Sequence, residues 1–298
     1  MKQLIYGVFL CIMLLVQGIV FGAMQIHAHF TDLFLKEPVP TEFNAYKIFL
    51  ADPLPQDVHY LALPWTILIK KNMLDKIPDM YLDGGFTICQ HFQFEKIIPT
   101  LRRIGITVLF TPHVAEGMIY EGITLLPFPH FAQNGVSPAR EKDILYSFIG
   151  TQSAQKVRAF IFELPCPKDV VIMERPSWGA RTINKEHNKE YRDILSRSRF
   201  SLCPRGYGVS TIRFWESLQA GAIPVILADG TLLPAEIDWL SCCVFIPEKK
   251  VAMVDEIVRS ISFEQEEKMR QNCLEAYKLS SGDQLVHTVR QYYTQMPQ

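Results

Sequence analysis

The sequence has no excess of charge of either sign. Its 298 residues contain 30 lysines and arginines against 31 aspartates and glutamates, interspersed along the chain, which gives a net charge of −1. A protein that binds nucleic acid needs a basic face to displace counterions from the phosphates, so this balance argues against that class. No internal repeat or low-complexity tract appears, so neither a repeat architecture nor a disordered tail is indicated.

Sequence patterns for zinc and for N-glycosylation are also missing. The seven cysteines are scattered, with no CxxC pair and no zinc-finger spacing. The six asparagines include no Asn-x-Ser/Thr acceptor. We therefore predict no structural metal site, and neither residue type identifies the compartment of the protein.

One long hydrophobic run is present at the N-terminus. From Leu4 to Met24 the chain is apolar apart from Gln17 and small residues, and Lys2 precedes the run. A helix of about 20 residues spans a bilayer core of about 30 Å, whereas a signal peptide has a shorter apolar stretch of about 7–15 residues. The run predicts a membrane anchor over residues 1–26, with a cleavable signal peptide as the alternative, and residues 27–44 would form a stem.

The rest of the chain has globular composition, with 48% hydrophobic and 20% charged residues, and its length fits two domains. In the first half, Ala45–Ala51 reads as a strand, Phe94–Ile104 has helical spacing and ends at Gly105, and Ile106–Phe110 reads as a buried strand. Strand, helix and buried strand in this order are typical of a parallel sheet. The stretch 131–143 is rich in glycine, proline and charge, which marks a domain boundary.

The same alternation begins again at Ile144–Ile149. Further strand-like runs follow at Asp169–Met173, Phe200–Cys203 and Ile223–Leu227, separated by segments with helical spacing. We therefore predict the α/β class, with two Rossmann-like domains over residues 45–140 and 141–298 that face a cleft. Open α/β sheets bind ligands at the carboxyl ends of their strands, so the polar residues after each strand are the candidates for function.

The most informative segment runs from Ser196 to Pro234. It reads as a strand, a glycine-rich turn, a helix, a strand and a loop. Gly206 and Gly208 allow the backbone to approach a ligand closely, and Ser210 is the predicted N-cap of the helix. The exposed amides at such a helix start form a binding site for an anion.

Three charged side chains accompany this turn. Arg205 leaves the strand end towards it, and Arg213 and Glu216 lie three residues apart on the helix, so their side chains are neighbours. Two cations beside a helix N-terminus suit a diphosphate, and a carboxylate one turn later suits a pair of ribose hydroxyls. An ordinary helix-surface ion pair and a simple turn fit the same spacing, because a glycine turn between strand and helix is a weak signal by itself.

The segment resembles the signature of the exostosin family of glycosyltransferases. The family's Cys-Pro-Arg-Gly turn, Arg-(Phe or Leu)-x-(Glu or Asp) helix and Gly-x-Ile-Pro-Val strand correspond to Cys203–Gly206, Arg213–Glu216 and Gly221–Val225. Asp229 follows the strand, as an acid commonly does in that family. The resemblance covers about forty residues and extends more weakly to Ile144–Gly150.

The resemblance implies a GT-B architecture, an inverting mechanism and a UDP-sugar donor, with no cofactor and no metal; no Asp-x-Asp motif is present. Arginines and helix amides would stabilise the charge that develops on the departing diphosphate. Arg205 and Arg213 would contact the diphosphate, and Glu216 the ribose or the sugar. The predicted donor-binding residues are Gly150, Thr151, Arg205, Gly206, Tyr207, Ser210, Arg213 and Glu216.

An inverting transfer also needs a general base that takes the proton of the acceptor hydroxyl. His113 and Glu116, which follow the strand-like run in the first half, are the first candidates, and Asp83 and His91 are the next. Lone histidines and surface carboxylates are common without any catalytic role, so the sequence alone does not choose among them.

Other interpretations stay open. A catalytically silent subunit that supports a partner enzyme or binds glycan would keep the same fold, and a fucosyltransferase-like enzyme shares a helix acid and a Gly-x-x-Pro-Val strand. A dehydrogenase is disfavoured because no Gly-x-Gly-x-x-Gly follows the first strand.

The expected partners are a nucleotide-sugar donor, a glycan acceptor and a membrane, but no nucleic acid, and oligomerisation stays open. The expected localisation is membrane-associated. A eukaryotic chain would have its domains in the Golgi lumen, and a bacterial chain would have them on the cytoplasmic face.

Overall fold

The computed structural model describes residues 23–36, 39–139, 141–175 and 185–295. These residues form two α/β domains, each built on a five-stranded sheet in which all neighbouring strands are parallel. The predicted α/β class with two parallel sheets is confirmed.

The sheet of the first domain follows the order of the chain, β1-β2-β3-β4-β5. This order never reverses direction, so the sheet differs from the doubly wound order of the predicted Rossmann-like domain. Its strands are β1 (Gln25–Ala28), β2 (His59–Ala62), β3 (Phe86–Ile88), β4 (Val108–Thr111) and β5 (Thr124–Pro127), and its helices are α1 (Thr31–Lys36), α2 (Pro40–Ala51), α3 (Trp65–Lys70) and α4 (Ile98–Ile104).

The sheet of the second domain has the order β10-β9-β8-β6-β7. Because β7 and β8 lie on opposite sides of β6, the strand order reverses at β6, and the crevice beside its carboxyl end is where such sheets bind ligands. The strands are β6 (Ile144–Gly150), β7 (Val170–Glu174), β8 (Ser198–Pro204), β9 (Ile223–Leu227) and β10 (Val244–Phe245), and the helices are α5 (Lys156–Phe162), α6 (Lys185–Arg197), α7 (Ile212–Gln219), α8 (Val254–Ser260), α9 (Phe263–Leu279) and α10 (His287–Gln295).

The last helix, α10, returns to the first domain. Val289 is fully buried in the core that also contains Phe49 of α2 and Phe86 of β3. Arg290 donates a hydrogen bond of 2.6 Å to the carbonyl of Asp52, which follows α2. Helix α10 therefore packs against the first domain, although the sequence predicted it as part of the second domain.

Two backbone segments also join the domains directly. The amide of Glu116 donates to the carbonyl of Gly230 over 2.8 Å, and the amide of Leu232 donates to the carbonyl of Val114 over 3.0 Å. This short antiparallel contact links the loop after β4 with the loop after β9 beside the cleft.

The N-terminal part of the first domain differs from the sequence prediction. Ala45–Ala51, predicted as a strand, belongs to α2, because Ala45 and Phe49 lie four residues apart on one helical face and are both fully buried. Residues 27–44, predicted as a stem, contain the end of β1, all of α1 and the start of α2. The folded domain therefore begins before residue 45.

The helices of the structure contradict the prediction of a membrane-associated protein. Within the described ranges, no helix combines the length and the apolar character that a membrane crossing requires. Most of the predicted anchor, residues 1–22, lies outside the described residues, and Gln25 and Ile26 pair with β2 as part of β1 instead of extending an apolar helix.

Candidate functional site

A cavity of about 440 Å³ lies between the two domains. On the second-domain side its wall comes from the segments after β6 and β8 and from the start of α7. On the first-domain side it comes from the segments after β3 and β4 and from α3. The cavity therefore occupies the crevice at the strand-order reversal of the second sheet.

The glycine-rich turn after β8 forms one wall of the cavity. The amide of Gly206 donates to the carbonyl of Ser210 over 3.2 Å, which closes the turn on itself. A Cβ atom on Gly208 would lie 2.4 Å from Nδ1 of His113, so glycine is required here for the close approach of the first domain. Helix α7 then begins with Thr211 as its N-cap, not Ser210, and no side chain caps its amides.

Two buried guanidinium groups face this turn. Arg213 of α7 donates from Nη2 to the carbonyl of Ile149 at the end of β6, and its guanidinium lies 4.4 Å from the ring centroid of Phe148. Arg158 of α5 donates from Nε to the carbonyl of Arg205 over 2.9 Å. Burial and the positive charge of Arg213 lower the pKa of Arg158 to about 10. The two guanidinium groups are therefore close enough to repel each other.

Glu216 supplies the carboxylate of the cavity wall. It accepts hydrogen bonds from Nδ2 of Asn134 over 2.7 Å and from the hydroxyl of Tyr191 over 2.6 Å. Its carboxylate is therefore held by Asn134, which lies between the two sheets in the chain, and by Tyr191 of α6. The side chain of Arg213 donates instead to backbone carbonyls. Burial, and next the charge of Glu216, raise the pKa of Tyr191, which keeps this hydroxyl a donor.

Three histidines line the first-domain side, and burial lowers the pKa of each, to about 4 for His91 and His113. Nε2 of His113 lies 3.2 Å from the carbonyl oxygen of Gln90. A carbonyl oxygen only accepts hydrogen bonds, so Nε2 carries the proton. Nδ1 keeps a lone pair that has no hydrogen-bond partner. His91 uses its Nδ1 to accept the amide of Gln93. His130 packs its ring 5.3 Å from that of His113.

Glu42 of α2 holds the first-domain wall in position. Its carboxyl group accepts the amide of Thr66 over 3.2 Å and the amide of Gln90 over 3.0 Å, and both of these residues line the cavity. Burial is the main cause that raises the pKa of Glu42 to about 8. Because it supports the wall from behind, Glu42 is a positioning residue.

The structure brings most of the predicted site residues together. The cavity wall contains Thr151, Gly206, Tyr207, Ser210, Arg213, Glu216, His91 and His113. Gly150 adjoins it, since a Cβ atom there would lie 3.3 Å from Nη2 of Arg213.

Four predicted residues are placed elsewhere among the described residues. Arg205 is outside the cavity wall, with Nη1 3.9 Å from Oε1 of Glu248 and Nε buried without a partner. Asp229 exchanges hydrogen bonds with the same Glu248. Glu116 and Asp83 are exposed and do not line the cavity. Contact of Arg205 with a donor and catalysis by Glu116 stay predictions.

Sequence reasoning missed several residues of the wall, chiefly Arg158, Asn134, Tyr191 and Phe92. Arg158 had a usable signal, because α5 is the first helix after the first strand of the second sheet, where ligand-binding groups are expected. Asn134 and Tyr191 reach Glu216 only through tertiary contacts across 82 and 25 residues of sequence, so no local pattern indicates them.

Comparisons with known proteins identify the family of the chain. The family model of the Exostosin GT47 domain matches residues 106–261, which is more than half of the chain. Exostosin-1 of Drosophila melanogaster is 34% identical over 47% of this chain and 20% of its own length. A probable glucuronosyltransferase of Oryza sativa subsp. japonica is 27% identical over 76% of this chain and 54% of its own length. The chain thus spans about half or less of these two relatives.

Among solved structures, Anabaena HepE in complex with UDP and glucose aligns over 88% of this chain and 82% of its own, with 9% identity and a TM-score of 0.44. A TM-score this low carries no argument about function, so the assignment rests on the family match and on the motifs around the cavity. The chain belongs to the exostosin GT47 family.

Proposed function

We propose that this protein is a glycosyltransferase of GT-B architecture. It takes a sugar from a UDP-sugar donor and transfers it, with inversion, to a hydroxyl group of a glycan acceptor. The donor lies in the cavity against the second domain, and the acceptor approaches from the first. The names of the relatives, a probable glucuronosyltransferase and a probable β-1,4-xylosyltransferase among them, are consistent with a hexosyl or pentosyl donor.

The observation that carries this proposal is the pair of buried arginines at the strand-order reversal. Arg158 and Arg213 are each at most 8% exposed and line the cavity, and within the described ranges no carboxylate forms an ion pair with either. Their backbone-carbonyl partners orient the guanidinium groups without neutralising them, and the cavity wall has Lys70, Arg158 and Arg213 against the carboxylate of Glu216, which leaves an excess of positive charge. Buried charge without a counter-ion is costly, so a ligand that supplies negative charge is favoured here.

The charged groups of the cavity wall favour one orientation of the nucleotide. The diphosphate binds between the guanidinium groups and the uncapped amides at the start of α7. Glu216 accepts the ribose hydroxyls, because Tyr191 and Asn134 each donate one hydrogen bond to its carboxylate and leave lone pairs free. Thr151 and Ser210 offer hydroxyl groups along the same wall.

In the transfer step, the oxygen of the acceptor hydroxyl forms a bond with C1 of the donor sugar. The bond between C1 and the diphosphate oxygen breaks, and UDP leaves with the electron pair. Nδ1 of His113 carries a lone pair without a hydrogen-bond partner and takes the proton of the hydroxyl after the turn at Gly208, which packs against it, moves away to admit the acceptor. Arg158 and Arg213 stabilise the charge that grows on the diphosphate, and this stabilisation is strongest in the transition state.

We propose that binding of the donor requires no divalent metal, because the two guanidinium groups supply the positive charge that a metal would otherwise bring. The rival proposal is a catalytically silent subunit with the same fold. The retained Arg213 and Glu216, together with the buried Arg158, favour an intact donor site over that alternative.

Calorimetric titration of the full chain with UDP tests the proposal, with GDP and NAD as comparison ligands and with EDTA present or absent. We expect UDP to bind equally well with and without EDTA. Arg158→Gln and Arg213→Gln should each weaken UDP binding at least about tenfold, as the loss of one charge-assisted contact implies. Arg192→Gln on the exposed face of α6 removes the same charge outside the cavity and should leave UDP binding unchanged.

Thermal melting of every variant separates loss of binding from loss of folding. Binding of UDP justifies a screen of UDP-sugars for hydrolysis and transfer. If a folded wild-type sample binds neither UDP nor GDP, the donor site is not functional, and the silent-subunit proposal takes precedence.

A further inference from the structure

Two aromatic rings from different domains stack on each other at the mouth of the cavity. Phe92, in the loop after β3, and Tyr207, in the glycine-rich turn, have ring centroids 5.4 Å apart and planes inclined by 28°. Both line the cavity, yet Phe92 is 37% and Tyr207 59% exposed. Exposed aromatic surface on the wall of a cleft indicates a binding surface, because core aromatics bury their faces.

The first-domain ring is held in a fixed orientation. The imidazole of His91 stacks on Phe92 with centroids 4.7 Å apart and planes inclined by 23°. His91 is itself fixed, because its Nδ1 accepts the amide of Gln93 over 3.1 Å. The three rings of His91, Phe92 and Tyr207 therefore form a continuous stack across the domain boundary.

The contacts along the second-domain wall place this stack at one end of the cavity. Glu216 lies one helical turn beyond Arg213 on α7, and Arg213 reaches the end of β6. Arg158 donates to the carbonyl of Arg205 and interacts electrostatically with Tyr207. Tyr207 is therefore associated with Arg158, whereas Glu216, the group assigned to the ribose, is held by Asn134 and Tyr191.

We propose that Phe92 and Tyr207 form the subsite that binds a pyranose ring of the glycan acceptor. One face of a pyranose ring consists largely of C–H groups, and such a face packs on the electron-rich face of an aromatic ring. Lys70 lies on the neighbouring first-domain wall and supplies a donor for the sugar hydroxyls. The sugar packs on the exposed face of Tyr207, the more exposed of the two rings, and Phe92 supports that ring from its other face.

The role of the bound sugar as the acceptor rests on the proposed function, whereas the binding of a sugar ring by these two residues does not. Stacking of the donor's uracil on the same rings is the competing assignment, and the resemblance to the exostosin family places Tyr207 among the donor-binding residues. The two assignments differ in which ligand loses affinity when a ring is removed, and that difference can be measured on the full chain.

The experiment measures two ligands on each protein. UDP is titrated by calorimetry, and a panel of methyl glycosides (glucoside, galactoside, xyloside and N-acetylglucosaminide) is tested by saturation-transfer NMR, with and without UDP. The variants are Phe92→Ala and Tyr207→Ala, with Tyr207→Phe as the conservative exchange. Phe263→Ala is the matched control, because Phe263 is 75% exposed at the start of α9, away from the cavity.

We expect at least one glycoside to bind the wild type with saturation of its ring C–H protons. Phe92→Ala and Tyr207→Ala should weaken this binding about tenfold or more, since each removes one stacked ring. UDP affinity should stay within about twofold of the wild type in both variants. Tyr207→Phe and Phe263→Ala should bind glycoside and UDP as the wild type does.

Three results would overturn the proposal. Loss of UDP binding in Phe92→Ala or Tyr207→Ala assigns the rings to the base of the donor. UDP binding without any glycoside binding in the wild type removes the sugar subsite, and so does glycoside binding that neither variant weakens. If the wild type binds glycoside through these rings but does not bind UDP, the proposed transferase function fails while the sugar subsite stands.

Discussion

Gly208 and His113 meet across the domain boundary with no room for a side chain at position 208. A Cβ atom on Gly208 would lie 2.4 Å from Nδ1 and 2.9 Å from Cε1 of the His113 ring. His113 is itself buried, so its ring cannot swing away into solvent. The ring of His113 therefore limits which residue the glycine-rich turn can carry at position 208.

Gly208→Ala should force the two domains apart at this point. Overpacking in a tightly packed region costs about 1–3 kcal/mol, so we expect a lower melting temperature and UDP binding weakened about tenfold. The double variant Gly208→Ala with His113→Ala removes the opposing ring and should recover UDP binding. Calorimetry and thermal melting of both variants check this.

Gly206→Ala serves as the graded comparison on the same turn. Its Cβ atom would meet only the carbonyl oxygen of Ser210, at 3.1 Å, so a smaller effect than that of Gly208→Ala is expected. An equal effect of the two substitutions, or no recovery in the double variant, would show that the contact with His113 is not what requires glycine.

The sequence predicted the second domain better than the first. In the second domain, glycine turns and continuous apolar runs coincide with strand ends, and the predicted strands 144–149, 200–203 and 223–227 lie within β6, β8 and β9. In the first domain, β1 and β2 are only four residues long, too short to show a period. Ala45–Ala51 was misread because a compact apolar run does not distinguish a strand from a buried helix.

The site divides in the same way. Arg213, Glu216 and the glycines of the turn belong to one contiguous motif, so their proximity could be predicted from the sequence. Arg158 and Asn134 join the cavity wall only through tertiary structure, by contacts with Arg205 and Glu216 respectively. A strand-order reversal depends on which strands pair, and no local pattern in the sequence records that pairing.

His113 should be required for transfer and dispensable for donor binding. We expect His113→Asn to lower the transfer rate about 10²–10⁴-fold, the usual effect of losing a general base, with UDP affinity unchanged. His91→Asn preserves an acceptor for the amide of Gln93 and should lower the rate much less. Single-turnover rates with a UDP-sugar identified in the screen, together with UDP calorimetry, measure both effects.

The pH dependence of transfer follows from the same residue. Because burial lowers the pKa of His113 to about 4, the imidazole is neutral, and so able to accept a proton, throughout the neutral range. Activity should stay constant as the pH falls towards about 5 and be lost as the pH passes through the lowered pKa. A fall in activity centred near the ordinary histidine pKa of about 6.5 would instead point to a solvent-exposed base.

Glu42→Gln should change how stability depends on pH. The pKa of Glu42 is raised from 4.5 to about 8, so the folded protein binds this proton more tightly than the unfolded chain does. The resulting stability is fully present below about pH 4.5 and is lost as the pH rises through about 8. Gln keeps the same shape without ionising, so the variant should lack this loss.

Urea unfolding of wild type and Glu42→Gln at about pH 5 and about pH 9 measures the effect. Since a tenfold change in proton affinity corresponds to about 1.4 kcal/mol, the wild type should lose several kcal/mol more than the variant between these two pH values. Equal losses in both proteins would show that Glu42 is ionised in the folded state at neutral pH.

Asn134→Asp should weaken UDP binding in a pH-dependent way. Asn134 donates a hydrogen bond of 2.7 Å to the buried carboxylate of Glu216, so an aspartate at this position places a second acid against the first. At low pH one of the two carboxyl groups keeps a proton and can still donate, whereas at higher pH the two charges repel each other. UDP affinity in Asn134→Asp should therefore fall as the pH rises.

Asn134→Ala provides the matched control, because it removes the same hydrogen bond without adding a charge. A hydrogen bond to a charged group contributes about 1.5–3 kcal/mol, so Asn134→Ala should weaken UDP binding by a constant factor across the pH range. Calorimetric titrations of both variants at several pH values separate the two effects. If Asn134→Asp and Asn134→Ala behave alike at every pH, the carboxylate of Glu216 is not in contact with position 134 when the nucleotide is bound.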